Sequence, residues 1–415
     1  MKTNVLSFVL LINIAWSCAS QKTTCRVDGK IIHADIETIE LLKPNQLADK
    51  DSVINLPVKK GRFSYEVVLT HPEYVKLHIK VPNHFGTKEV PLFLENTSID
   101  VLLNGKQSFD FNKIQGGQLN KEYNQYKKFI QREYSKQRQL IQDSVNILKK
   151  SNQYFSDTLN TLLKEINQAE TDEIKIALYK ILDEIMIKGF DLTPAAQQLW
   201  IKTSAITSAI SAYKQKYIQK SPTLVAYSFF LDELTLNQQN LDIKQAKDNY
   251  LLLSAAHPDH PYNTLALKLI SGADGIQPGD QIIDFSAPDL NGHQHQLSKL
   301  LANQDALLIL WATWCGPCIA KSKTMLPIYQ LFGGKEFTII GIAAEYKNTD
   351  QLIKFLEKEK WPWVNLVELD RQNDIWMNYG VNNKSGAIYL IDKTGKVIAL
   401  DPTPEEVLGY LRQRQ

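Results

Sequence analysis

The sequence predicts a multidomain α+β protein: an N-terminal antiparallel β sandwich or barrel, a central α-helical segment, and a C-terminal α/β domain. Three observations carry that prediction. The 415 residues exceed what one hydrophobic core supports, and 44% of them are hydrophobic, enough for several cores. Short runs rich in Val, Ile, Phe and Tyr give way to apolar residues recurring at helical spacing. The last third then alternates strand with helix, the pattern of a layered α/β domain with buried central strands.

Residues 1–18 read as a signal peptide. Met1-Lys2 supplies a basic start, and Val5 to Trp16 is apolar apart from Ser7 and Asn13, too short a run to cross a ~30 Å hydrocarbon core. Ala15-Trp16-Ser17-Cys18 resembles a relaxed lipobox, with Ala15 where Leu or Val is more common and Cys18 as the lipidated residue. Ser17-Cys18-Ala19 also fits ordinary signal peptidase. The reading favoured is a lipoprotein anchored to a membrane in the periplasm or cell envelope, where thiols can be oxidised.

Residues 25–115 read as the β-rich domain. Strands are expected over Ile36 to Leu42, Phe63 to Leu69, Tyr74 to Val81, Glu89 to Leu94 and Ile99 to Leu103. Asp28-Gly29, Lys60-Gly61, Pro82-Asn83 and Asn104-Gly105 are expected as turns. Phe63-Ser64-Tyr65-Glu66-Val67 alternates with period two, as a half-buried strand does. Nothing in this region looks catalytic.

Residues 118–270 read as helices. Leu119, Tyr123, Tyr126 and Ile130 recur at three- and four-residue spacing, a stripe that belongs in a core. Further helices are expected over Asp172 to Lys188, Thr193 to Gln219, Pro222 to Leu234 and Ile243 to Ala256, with Ser221 as N-cap before Pro222. His257-Pro258-Asp259-His260-Pro261 invites a metal reading, but two prolines forbid a shared helical face, so an exposed inter-helix loop is expected.

Residues 275–415 complete the chain. Asn291-Gly292 reads as a hairpin turn, Ala306 to Trp311 and Phe337 to Ala344 as buried strands, and Thr349 to Lys360 as a helix. Ala387 to Ile391 and Val397 to Leu400 form a hairpin, and Thr403-Pro404-Glu405-Glu406 caps a final helix.

Charge and cysteine usage narrow the function. Lys+Arg 47 against Asp+Glu 45 leaves a net charge of +2, so nucleic acid is not an expected partner. Four cysteines exclude a disulfide-stapled miniprotein, yet two fall in Trp314-Cys315-Gly316-Pro317-Cys318. Two thiols two residues apart, where a buried strand hands over to a helix, can close a disulfide ring. Cys315 at the helix N-terminus gains from unpaired backbone N–H groups and the helix dipole, which favour the reactive thiolate. Cys318, a turn deeper, resolves the mixed disulfide, and Pro317 replaces an N–H that the first turn leaves unsatisfied anyway. Zinc would need more soft ligands, and the only other cysteines, Cys18 and Cys25, are distant in sequence. The expectation is dithiol chemistry with no metal and no cofactor beyond the Cys315–Cys318 disulfide. Cys25 is left unpaired if Cys18 is lipidated.

Trp311-Ala312-Thr313-Trp314-Cys315-Gly316-Pro317-Cys318, with Tyr379-Gly380-Val381 and Leu390-Ile391-Asp392 downstream, resembles the TlpA/ResA-like thioredoxin family of envelope thiol–disulfide oxidoreductases. The resemblance starts at Gly279-Asp280 and implies a thioredoxin-like domain over 275–415. It also implies Cys315 and Cys318 as the catalytic pair, with Trp311, Trp314, Gly316 and Pro317 as motif and rim. Gly61-Arg62-Phe63, Phe93-Leu94-Glu95-Asn96 and Gln115-Gly116-Gly117-Gln118-Leu119-Asn120 are similar to a small β-domain of unknown function that precedes such domains in some bacterial lipoproteins.

The chain departs from the family at several positions. Ser385-Gly386-Ala387 stands where a cis-proline normally faces the dithiol, and Asn382 to Gly386 is one residue longer than the common pattern. Ile309 replaces a buried polar residue, Lys321 the usual Glu, and Lys323 the usual helix-kinking Pro. Lys321, Ser385 and Gly386 are therefore candidate modulators. The resemblance implies cysteine-containing envelope proteins as clients, and Gly-Pro between the cysteines resembles thioredoxin, reducing near roughly −270 mV. A reductant resupplied by a membrane electron donor is expected. The alternative is a redox-drifted thioredoxin-fold binding or scaffold lipoprotein without significant turnover. The sequence leaves the oligomeric state open.

Overall fold

The computed structural model describes residues 23–46, 48, 53–80, 87–105, 112–236, 241–334, 336–381 and 386–414. The signal peptide, the lipobox with Cys18, and the Pro82-Asn83 turn lie outside the described residues.

The N-terminal strands are β1 (Thr23–Ile32), β2 (Thr38–Leu42), β3 (Ile54–Pro57), β4 (Arg62–Leu69), β5 (Glu73–Lys80), β6 (Thr87–Leu94), β7 (Ser98–Asn104) and β8 (Lys113–Gln115). They form two four-stranded sheets in the orders β4-β1-β7-β8 and β3-β2-β5-β6. Alternate side chains turn inward to share one core: Val27, Phe63, Ile99 and Val101 from the first sheet, Ile39, Leu41, Val75 and Leu92 from the second. The pairings are antiparallel except β1 with β7, which run parallel. Lys60 and Gly61, at φ 52° and 68°, make the two-residue turn between β3 and β4. Asp28-Gly29, expected as a turn, lies inside β1 instead. Gly29 stands opposite Phe63, and a Cβ there would lie 2.1 Å from ring carbons of Phe63. The glycine admits an aromatic ring; it does not reverse the chain.

The helical region comprises α1 (Gln118–Lys150), α2 (Asp157–Gln168), α3 (Asp172–Lys188), α4 (Pro194–Lys220), α5 (Leu224–Leu236), α6 (Ile243–Ala256) and α7 (Tyr262–Asp274). The Tyr123–Tyr126–Ile130 stripe of α1 packs with Phe229 of α5 and Ile210 of α4 in a second core. The joint to the sandwich is made by the segments that carry the β-domain likeness. Glu95 accepts the free N–H groups of Gln118 (3.2 Å) and Leu119 (2.9 Å), capping α1 from the preceding domain. Asn120 returns the contact, bonding both the N–H and the carbonyl of Phe93. A Cβ at Gly117 would sit 2.0 Å from the Glu95 carboxylate, so the glycine opens the space for that cap.

Two local expectations are corrected. Ser221 does not start α5: its N–H still bonds the Tyr217 carbonyl of α4, and Thr223 caps α5 by accepting from the Ala226 N–H at 3.3 Å. The His257–Pro261 loop is not simply exposed. His260 is buried, its Nε2 is 3.0 Å from the Pro72 carbonyl, and burial lowers its pKa by disfavouring the imidazolium. With Tyr262, whose hydroxyl accepts the Tyr74 N–H at 2.6 Å, it docks this loop on β5. Among the described residues no cluster of His, Cys, Asp or Glu is arranged to hold a metal ion.

The C-terminal domain contains β9 (Ser286–Pro288), β10 (Gln294–Gln296), α8 (Leu297–Leu301), β11 (Asp305–Trp311), α9 (Gly316–Thr324), α10 (Leu326–Phe332), β12 (Phe337–Glu345), α11 (Asp350–Glu359), β13 (Val364–Leu369), α12 (Ile375–Asn378), β14 (Ala387–Ile391), β15 (Val397–Leu400) and α13 (Pro404–Arg412). Its main sheet has the order β13-β12-β11-β14-β15. β11, β12 and β13 are parallel, while β14 and β15 run antiparallel to their neighbours. Every residue of β11 is buried, as a central strand covered on both faces requires. The Thr403/Glu406 capping box starts α13.

Among the described residues, α12 and α9 of this domain meet the helices. The short α12 sits against α7, with Met377 inside the helical core and Lys268 paired with Asp374. The second contact comes from an arm. α2 and α3 pack on each other through Leu162, Ile166 and Ile185, and the arm's base is stapled where Ser156 Oγ donates to the Phe190 carbonyl and Thr193 Oγ1 to that of Gln153. From that base, α3 reaches over to lie against α9.

Candidate active site

The dithiol sits where the central strand ends. β11 closes at Trp311, a short connection follows, and Cys315 occupies the N-cap position of α9 with Pro317 in the first turn. Cys318 lies one turn along, and the two are joined in a disulfide with their Cα atoms 5.3 Å apart. The helix N-terminus supplies the partial positive charge that favours a thiolate at Cys315.

Trp314 forms part of the surface beside the pair. It is 38% exposed, and Gly316 and Pro317 are exposed with it. Its Nε1 donates to the Ala344 carbonyl at 3.2 Å, and its ring lies 6.0 Å from that of Trp376. Trp311, expected at the rim, is not there. It is fully buried, donating through Nε1 to Asn365 Oδ1 at 3.0 Å and packing on Trp361. Strand β11 is covered on both faces, so its last side chain enters the core. Gly341 makes the room: a Cβ there would lie 2.2 Å from Asn365 Oδ1.

Cys315 is only 3% exposed and Cys318 6%. The expected attacking sulfur is thus no more open than the resolving one. Cys318 receives a hydrogen bond from the Gly386 N–H at 3.0 Å, and Ser322 Oγ donates to the Cys318 carbonyl at 2.9 Å. Ile309 is buried in the sheet, as expected of an apolar replacement. Lys321 pairs with Asp401 at 3.5 Å and Lys323 with Glu359 at 3.1 Å. The break between α9 and α10 falls at Met325 even without proline at 323, with Pro327 in the first turn of α10. Ser385 lies outside the described residues, among which no cis peptide bond occurs.

Two acidic residues behind the site escaped the sequence reading. Glu345, at the end of β12, accepts from both the N–H and the hydroxyl of Thr313, and burial raises its pKa. Glu368 of β13, fully buried, accepts the N–H groups of Ile375 and Trp376 at the start of α12; desolvation pushes its pKa up to about 7. The available signal was a lone carboxylate closing or interrupting an otherwise apolar strand.

A disulfide at the start of a helix, set on the end of a parallel central strand and backed by an antiparallel hairpin, defines the thioredoxin class. Residues 277–408 match the Redoxin family, and residues 25–123 match a domain of unknown function, DUF4369. The thiol-disulfide oxidoreductase ResA of Geobacillus kaustophilus is 28% identical over 124 residues, 29% of this chain and 67% of its own length. The thioredoxin-like protein YneN of Bacillus subtilis is 26% identical over 124 residues, 30% of this chain and 70% of its own. Among solved structures, the thioredoxin domain of a thiol-disulfide oxidoreductase from Bacteroides vulgatus covers 34% of this chain and 98% of its own, at 22% identity and a TM-score of 0.30. A thiol:disulfide interchange protein from Bacteroides sp. covers 33% and 90%, at 21% identity and a TM-score of 0.30. Residues 277–408 thus carry a Redoxin domain similar to TlpA/ResA-like thioredoxin-family proteins, and its dithiol is that of a thiol–disulfide oxidoreductase.

Proposed function

We propose that this oxidoreductase reduces disulfides of cysteine-containing envelope proteins through the Cys-Gly-Pro-Cys pair, held at a membrane by lipid on Cys18. The observation that carries the reading is Cys315 at the N-cap of α9 with Cys318 one turn inside, disulfide-bonded to it. In the reduced protein the Cys315 thiolate attacks one sulfur of a client disulfide and expels the other as a thiolate. Cys318 gives up its proton, attacks Cys315 and releases the second client sulfur. Two electrons pass to the client, its two thiolates take up protons, and the Cys315–Cys318 disulfide re-forms. A dithiol-bearing membrane electron donor then restores the reduced pair.

The lipid anchor rests on Ala15-Trp16-Ser17-Cys18 and fits a chain in which no helix among the described residues is long and apolar enough to cross a membrane. The competing reading, a binding or scaffold module, draws on the Gly at position 386 and on the low exposure of Cys315. Thiol trapping in the native envelope separates the two. Full-length Cys318→Ala should accumulate mixed disulfides through Cys315 that disappear on adding Cys315→Ser. An envelope free of such adducts would favour the scaffold.

A further inference from the structure

We propose that the backbone N–H of Gly386 is a catalytic hydrogen-bond donor to Cys318, placed to hold the negative charge that develops on this sulfur whenever the disulfide opens. The inference rests on the dithiol chemistry proposed above and assigns a group within it. The N–H points at Cys318 Sγ from 3.0 Å in the disulfide form, before any reaction begins. When an external thiolate attacks Cys315, a bond forms between the two sulfurs, the Cys315–Cys318 bond breaks, and its electron pair leaves on Cys318. A donor already aimed at the leaving atom needs no reorganisation, the condition under which such groups accelerate reactions most. The same bond lowers the pKa of the released thiol, because it favours the charged form.

The residue type is what makes the donor available. Proline at this position would have no N–H to give. A larger residue would not fit either: a Cβ on Gly386 would lie 1.8 Å from the Leu310 carbonyl oxygen and 3.0 Å from Cys318 Sγ. Glycine alone lets the main chain come this close to the end of β11 and still present its N–H to the sulfur. In the disulfide form, the Gly386 N–H is the donor that Cys318 Sγ has among the described contacts.

The direct test needs no substitution at 386. With glycine-selective ¹⁵N labelling of the full-length Cys315→Ser variant, 19 glycines give a countable spectrum, and the Gly386 amide is followed against pH. Its proton shift should titrate with the same midpoint as alkylation of Cys318 by iodoacetamide, moving downfield as the thiolate forms. A Gly386 amide indifferent to that ionisation would overturn the proposal. Gly386→Ala in the otherwise native chain gives a second readout: reduction of its disulfide by dithiothreitol should slow about tenfold, the loss of one charge-assisted hydrogen bond. The Cys318 midpoint should also rise. Unchanged rate and midpoint in a folded Gly386→Ala protein would contradict it, and if that variant fails to fold the amide titration decides alone. Loss of exchange in Cys315→Ser tests the dithiol itself, so the two claims fail separately.

Discussion

The carboxylate of Glu345 grips Thr313 twice: one oxygen accepts the backbone N–H at 2.8 Å, the other the hydroxyl at 2.8 Å. Thr313 is two residues ahead of Cys315, so the end of β12 fixes the connection that delivers the reactive sulfur. Glu345→Leu leaves both donors of half-buried Thr313 without their partner. We expect a loss of about 2–3 kcal/mol of stability, read by denaturant unfolding, and slower disulfide reduction at constant pH. Glu345→Gln, which keeps one acceptor, should fall between the two. Equal exchange rates in all three proteins would dissociate this anchor from catalysis.

Glu368 makes stability depend on pH. Its folded pKa, about 7, lies above the ordinary carboxylate value, so the native state holds a proton that the unfolded chain has released. Stability is therefore fully present below about pH 4.3 on this account and falls as pH rises toward 7, by on the order of 3 kcal/mol for this group. Glu368→Gln should flatten that decline when unfolding is followed from pH 4.5 to 7.5. Parallel curves for the two proteins would show that the carboxylate is ionised in the native state throughout.

The α2–α3 arm is stapled at its base and reaches over to α9. Excising residues 157–189 and bridging Ser156 to Phe190 with a short Gly-Ser linker removes the element lying against the redox helix while sparing the α1–α4 pair. If the arm holds the site closed by about 1 kcal/mol, alkylation of the reduced Cys315 should rise about fivefold on its removal. An unchanged rate would mean that the arm packs on α9 without limiting access.

Asn365 links two buried aromatics, accepting from Trp311 Nε1 and donating to the Trp363 carbonyl. Asn365→Leu orphans the Trp311 N–H in the core and should cost about 1–3 kcal/mol, measured by thermal unfolding, with the Cys315–Cys318 chemistry retained.

Much of this architecture is written in local pattern. The alternation through Phe63–Val67 and the continuous apolar run of β11 translate directly into strands. The four-residue cap Thr403–Glu406 forms as its chemistry dictates. Where pattern fails, a distant partner is responsible. Gly29 reads as a turn until Phe63 is known to lie over it. His260 reads as exposed until the Pro72 carbonyl, just ahead of β5, is set against its ring. The two cysteines stand out in the sequence, whereas Glu345 and Gly386 act at the site through contacts 32 and 68 residues away, which no spacing rule encodes. Trp311 enters the core for a related reason: motif membership says nothing about which layer a side chain enters.

The most direct measurement is the second-order rate at which the reduced full-length protein cleaves a disulfide in a folded protein substrate, compared with free dithiothreitol and with Cys315→Ser. The account predicts a wild-type rate well above that of the free thiol, two electrons delivered per chain, and none by Cys315→Ser. A wild-type rate no faster than free dithiothreitol, or an undiminished rate in Cys315→Ser, would contradict it.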